Sequence, residues 1–373
     1  MKTKQNLQIS QIEIFKLTIP LKKPFIISLG SISNAQNIIV VIRTDKGLSG
    51  FGECSPFMTI NGESQETCFV VGQTLAKILK GKDPLDIEGN MELMDKIIYG
   101  NSSIKSAFDI AMHDIASQNA GMPLYQFLGG KNNKVLITDY TISIDDPQKM
   151  AADAITIKEA GFPVIKVKLG EGKEIDVERI KAIRKAIGKK LPLRIDANQG
   201  WDVHTAIKTL QALEKYNIQY CEEPIPRWDF MNLKKIKNKS LIPIMADESC
   251  SDHHDAKRLI QLHACDMFNL KLGKSSGLFK AQKIIGLAER ENMNMQVGCF
   301  MESKITMTAN AHLALSSKNI LHCDFDTPLM FAEDTVSGGI VYKEKGIIEL
   351  PDTPGLGAWI DKERLDKMEG VII

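Results

Sequence analysis

The chain has 373 residues, of which 43% are hydrophobic and 25% charged, and its net charge is +1. That is enough apolar material for one large core and one smaller one, so two domains are expected. Acids and bases are interspersed without long single-sign runs, which excludes the electrostatic footprint of a nucleic-acid or anionic-membrane binder and leaves a small molecule as the expected partner.

In chain order, the opening "MKTKQNLQIS" lacks the apolar stretch of a signal peptide, and no run of about 18 apolar residues suggests a membrane span. The seven cysteines are odd in number, scattered and never spaced C-x-x-C, as free thiols in a reducing compartment would be. A cytoplasmic location is expected. The run "NIIVVIRTDKGLSGFGEC" predicts a hairpin turning near Asp45, Lys46 and Gly47. Helical periodicity follows over 63–80, 86–98 and 102–120, so residues 1–130 read as an α+β domain.

From about residue 135 one unit repeats: a short apolar β-rich run, a polar turn, then an amphipathic helical stretch. The predicted strands are "VLITDYTI", "PVIKVKL", "LPLRIDA", "IQYCEEP", "IPIMADE", "CDMFNLKL", "MNMQVGC" and "ILHCDFD". Lys168, Asp196, Glu222, Asp247, Lys271, Gly298 and Asp324 end seven of them, 24 to 28 residues apart. So even a pitch predicts a (β/α) barrel over 131–325, with these residues converging at the mouth where strand C-termini meet. A doubly wound open sheet is the alternative. Residues 326–373 return to hairpin-like segments with Pro and Gly turns and are expected to pack back on the first domain.

The mouth carries unusual chemistry. Strand alternation places Lys166 and Lys168 on one face of "VIKVKLG", two buried cations side by side with no neutralising carboxylate in their own strand. Asp196, Glu222 and Asp247 end three consecutive strands, an oxygen donor set suited to Mg2+. Lys168 and Lys271 close strands two and six, which face each other across an eight-stranded barrel. Two bases flanking a metal suit removal of a proton from one face of a carbon and its return to the other. A lysine base needs a lowered pKa, and Lys166 is expected to supply the adjacent cation that lowers that of Lys168. Arg194 shares the strand face of Asp196 and is expected to support it.

The set K-x-K, D-A-N, E-E-P, D-E and N-L-K, with "AFDIAMHDIASQNAGMPLYQFLGG" at 107–130, resembles the muconate lactonizing subgroup of the enolase superfamily. A lysine base acting with Mg2+ is the known pattern of enolase-superfamily sites. The resemblance implies a modified (β/α)7β TIM-type barrel with an α+β capping domain. It further implies Mg2+ on Asp196, Glu222 and Asp247, with Lys168 and Lys271 as the acid/base pair. Lys166 is then expected beside the substrate carboxylate, and Asn198 and Glu248 behind the metal ligands.

Within that subgroup, "CDFDTP" places Asp324 and Asp326 on one strand face, where two carboxylates suit a substrate ammonium. This resembles dipeptide epimerases, as does "SPFMTINGES" at 55–64. The expected reaction is inversion of the α-carbon of the C-terminal residue of a dipeptide by 1,1-proton transfer through an enolate. An N-acylamino acid racemase or o-succinylbenzoate synthase is the alternative, although their substrates lack the free ammonium. A non-catalytic metal and carboxylate binding protein would not need a base on each face. Epimerases of Ala-Glu carry a cation in the loop after the "PF" pair; here "KKPFIISLGS" has none. An unpaired substrate carboxylate would be penalised there and an apolar side chain favoured, so Ala-Val or Ala-Leu is expected, with Phe25, Ile27, Leu29 and Met301 as contacts. Lys22 and Lys23 precede the loop as the cations able to fold inward. A homo-oligomer is expected.

Overall fold

The computed structural model describes residues 7–373. A four-stranded antiparallel sheet opens the chain: β1 (Ile9–Ile27), β2 (Gly30–Thr44) and β3 (Ser49–Cys54), joined at the outer edge of β1 by β12 (Gly370–Ile372). The β2–β3 hairpin turns where the sequence predicts. The length of β1 is not evident in the sequence, because Pro20, Lys22, Lys23 and Pro24 break its apolar pattern.

This sheet is a wall between two cores. On β2, Ile38, Val40 and Ile42 point into the cluster formed with helices α1 (Gln65–Leu79), α2 (Ile87–Ile97) and α3 (Ser102–Asn119), while Ile39 and Val41 point into the barrel's cluster. Burial on both faces explains why the strand reads as an unbroken apolar run rather than an alternation. Strand β3 lies so close to α3 that a Cβ on Gly50 would meet the Ala111 carbonyl oxygen at 2.1 Å and one on Gly52 that of Ala107 at 1.9 Å.

Eight parallel strands follow: β4 (Tyr140–Ile142), β5 (Ile165–Lys168), β6 (Leu193–Asp196), β7 (Ile218–Glu222), β8 (Ile244–Ala246), β9 (Met267–Leu270), β10 (Asn294–Val297) and β11 (Ile320–Cys323), each paired with its neighbours in chain order. A parallel bridge between Thr138 and Cys323 brings the first and last together. The predicted first strand is divided, since Leu136–Ile137 pairs antiparallel with Ile347–Glu349 of the tail and the barrel strand begins only at Tyr140. Two short helices matter for the site, α4 (Leu272–Ser275) and α5 (Lys304–Leu315).

Cap and barrel are riveted by a buried carboxylate. Glu53 on β3 accepts hydrogen bonds from Asn37 Nδ2 (2.7 Å), Ser303 N (2.9 Å), Ser303 Oγ (2.8 Å) and Thr306 N (3.1 Å), so it caps α5 from the other domain. Asp109 of α3 likewise accepts from the Leu278 N–H. Among the described residues, no helix is long and apolar enough to cross a membrane.

Candidate active site

The parallel register sets Lys168 beside Asp196 and Asp196 beside Glu222 at the ends of β5, β6 and β7, and Asp247 follows β8. All three carboxylates are buried. Lys166 Nζ lies 2.7 Å from Glu222 Oε2, 2.7 Å from Asp324 Oδ2 and 3.3 Å from Asp196 Oδ2. Lys168 Nζ donates to Asp196 Oδ2 at 2.6 Å and to Asn198 Oδ1 at 3.0 Å. Lys271 Nζ sits 2.7 Å from Asp247 Oδ2, over the Phe300 ring. The neutralising carboxylates absent from β5 itself therefore arrive from the ends of β6, β7 and β11.

Asn198 is bonded both ways, its Nδ2 donating to Glu248 Oε1 at 3.2 Å. One pocket is lined by Phe25, Ile27, Lys168, Lys271, Met301, Asp324 and Asp326, which brings most of the expected residues together. Asp326 also accepts the Thr141 N–H at 2.6 Å. Three expectations need correction. Leu29 lines an adjoining groove rather than this pocket, because β1 ends at Ile27 and the chain turns outward there. Arg194 touches none of the three carboxylates; one layer below, it bonds Asp139 (2.6 Å), Gln219 (3.0 Å) and His322 (2.8 Å). Lys166 is wholly buried beneath the pocket instead of lining it. Lys22 and Lys23 face outward, to the Leu329 carbonyl and to Asp153, so neither brings charge to the loop.

Sequence reasoning missed several members. Lys274 on α4 contacts Asp247 and donates to the Cys250 and Asn269 carbonyls, each at 3.1 Å. Asn269 Nδ2 donates to Glu222 Oε1 at 2.7 Å, and Gln296, itself bonded by the Tyr220 hydroxyl, reaches Glu222 Oε2 at 3.4 Å. Asn269 and Gln296 sit inside their strands like Lys166, and polar side chains within a buried strand are the signal that marks them. Cys299 and Phe300 join the pocket wall from the segment after β10.

Burial pushes the Glu222 carboxyl up to about 8, reinforced by the neighbouring charge of Asp196 and opposed by Lys166. Burial and the charge of Asp247 push Glu248 up to about 7. For Asp247 burial acts upward too, yet Lys271 and Lys274 outweigh it and hold the carboxyl well below its usual range. Lys166 and Lys271 are held above the usual lysine value, because the surrounding carboxylates overcome the downward pull of burial. Asp247 Oδ2 has no hydrogen bond directed at it despite its ion pair. A set of three buried carboxylates, with Glu222 pushed up by burial and by its anionic neighbours, fits a hard divalent cation such as Mg2+.

Residues 9–129 match the family described as mandelate racemase / muconate lactonizing enzyme, N-terminal domain, and residues 149–364 match enolase C-terminal domain-like proteins. The chain belongs to this mandelate racemase/muconate lactonizing enzyme family. Among its curated relatives, the D-Ala-D/L-Ala epimerase of Cytophaga hutchinsonii is 59% identical over 365 residues, covering 98% of this chain and 99% of that protein. The hydrophobic dipeptide epimerase of Enterococcus faecalis is 40% identical over 352 residues, covering 94% and 99%. The crystal structure of the Cytophaga hutchinsonii dipeptide epimerase complexed with Mg and the dipeptide D-Ala-L-Val has a TM-score of 0.97, covering 98% of this chain and 100% of that one. The family's two matched regions correspond to the two sides of this pocket: Phe25 and Ile27 come from the N-terminal one, the lysines and carboxylates from the other.

Proposed function

We propose that the protein is a Mg2+-dependent dipeptide epimerase, which inverts the α-carbon of the C-terminal residue by taking its proton from one face and returning one to the other. The observation that carries this reading is the placement of Lys168 and Lys271, from strands β5 and β9 of one barrel, in a single pocket with Asp324 and Asp326. Asp196, Glu222 and Asp247 hold the metal, supported by Asn198 and Glu248. Bound there, Mg2+ supplies positive charge that relieves the carboxylates of the lysines and stabilises the substrate carboxylate as its α-proton leaves. Lys168 serves one face of the α-carbon and Lys271 the other, one as amine and one as ammonium in each direction. Asp324 and Asp326 hold the substrate ammonium, with Lys166 fixing Asp324 from below.

Phe25, Ile27, Phe57, Ile60 and Met301 form an apolar wall that excludes water, and with Lys22 and Lys23 turned away it offers no cation to an acidic side chain. The substrate class is therefore an alanine-sized first residue followed by a hydrophobic second residue, as in Ala-Val or Ala-Leu. The division at about residues 130 and 325, a cytoplasmic location and a homo-oligomeric state complete the proposal. The test is incubation of Ala-Xaa dipeptides, with L- and D-alanine, with enzyme and Mg2+ in D2O. Gain of one deuteron and a kcat/KM for Ala-Val or Ala-Leu above that for Ala-Glu are expected; a tenfold preference for Ala-Glu would overturn the specificity.

A further inference from the structure

Among the described residues, the metal-ligating atoms of Cys299, Asp324 and Asp326 lie within 4.8 Å of one another at the pocket wall, apart from the three-carboxylate set. Asp324 is bonded to Lys166 through Oδ2, and Asp326 to the Thr141 N–H through its own Oδ2, so each turns a second oxygen elsewhere. Four cations face this wall: Lys166, Lys168 and Lys271 act on Asp324, Lys271 acts on Cys299, and Arg194 with Lys166 acts on Asp139 one layer below. The remaining cysteines are all buried, and among the described residues none joins such a cluster.

We infer that Cys299, Asp324 and Asp326 form a second cation site, selective for a thiophilic divalent ion of the Zn2+ or Co2+ kind, whose occupation excludes the dipeptide. One sulfur and two carboxylate oxygens are donor types that zinc accepts; the hard oxygen set of Asp196, Glu222 and Asp247 offers such an ion no sulfur. Binding forms the sulfur–metal bond and releases the thiol proton to solvent, with no change of oxidation state. The exclusion of dipeptide, though not the cation site itself, rests on the proposed role of Asp324 and Asp326 in holding the substrate ammonium.

Co2+ serves as the probe, added to the Mg2+-saturated protein and followed by near-ultraviolet thiolate-to-cobalt charge transfer. One equivalent of Co2+ is expected to produce the band, and Cys299→Ser to abolish it while circular dichroism and the melting temperature show the variant folded. Asp326→Asn, which keeps the thiol, is expected to weaken Co2+ binding at least tenfold. No band in the parent protein, or an equal band in folded Cys299→Ser, overturns the site. If Cys299→Ser does not fold, an Asp326→Asn protein that binds Co2+ as tightly as the parent does the same. Saturating Ala-Val is expected to suppress the band; a band that persists would leave the cation site standing and overturn the ammonium role instead.

Discussion

At the scale of single residues, the proposal gives the two lysines different work for the two epimers. Lys271→Ala is expected to lower net inversion about 10²–10⁴-fold, the usual contribution of a positioned acid or base. Lys168 remains able to exchange the α-proton of the epimer it faces, so deuterium should enter one epimer only. Equal exchange of both by this variant rules out the two-base scheme. Asp247→Asn should weaken Mg2+ binding, measured by calorimetry, and remove most turnover, because the anion facing Lys271 and Lys274 is gone. An unchanged Mg2+ affinity would take Asp247 out of the proposed ligand set. The lysines and carboxylates of the proposed site were legible in the sequence because each is a charge out of place at an apolar strand or its end. Lys274 was not, since it lies on a helical turn where a lysine is ordinary, nor was the offset of Arg194 into a lower layer, which alternation alone cannot distinguish from the layer of Asp196.

At the scale of elements, the β3–α3 contact has no tolerance for a methyl group. Gly52→Ala places a Cβ against backbone that cannot rotate away, so strand and helix must separate. A loss of about 1–3 kcal/mol is expected, the typical cost of overpacking, and it should appear as a lower Tm with little change in KM at a temperature where the variant is folded. A Tm equal to that of the parent would show that the strand shifts freely. The sequence disclosed the hairpin, the three helices and the barrel repeat through periodicity. It concealed β1, whose prolines and lysines read as loop, and the split of the first barrel strand. That split is set by pairing with Ile347–Glu349 more than two hundred residues away, which no local pattern records.

At the scale of the whole molecule, buried imidazoles contribute to the pH dependence of stability, and His312 is one of them. His312 on α5 accepts the Tyr125 N–H at Nδ1 (3.1 Å) and donates from Nε2 to the Leu356 carbonyl (3.0 Å), linking barrel, cap segment and tail. Burial pulls its pKa down to about 4, whereas the unfolded chain takes up that proton near the ordinary value of about 6.5. As pH falls below about 6.5 the unfolded state binds the proton first, so the His312 contribution to stability falls by up to about 1.4 kcal/mol per pH unit until about pH 4, and that of His322, pulled down to about 3 by burial and Arg194, falls with it. His312→Gln keeps a donor and an acceptor and should flatten the dependence of Tm on pH in that window; an unchanged slope would remove His312 as its cause. The Glu53 rivet between β3 and α5 has a different kind of consequence. Because it fixes the cap on the barrel, the bases and carboxylates keep their places whatever side chains line the β1 end and the 55–60 loop. On the proposed reading the apolar part of the selectivity lies on a stretch separate from the bases, and a library at Phe25, Ile27, Leu29 and residues 56–60, sparing Ser28 whose hydroxyl bonds the Ala197 and Asn198 carbonyls, should shift dipeptide preference with little effect on proton transfer.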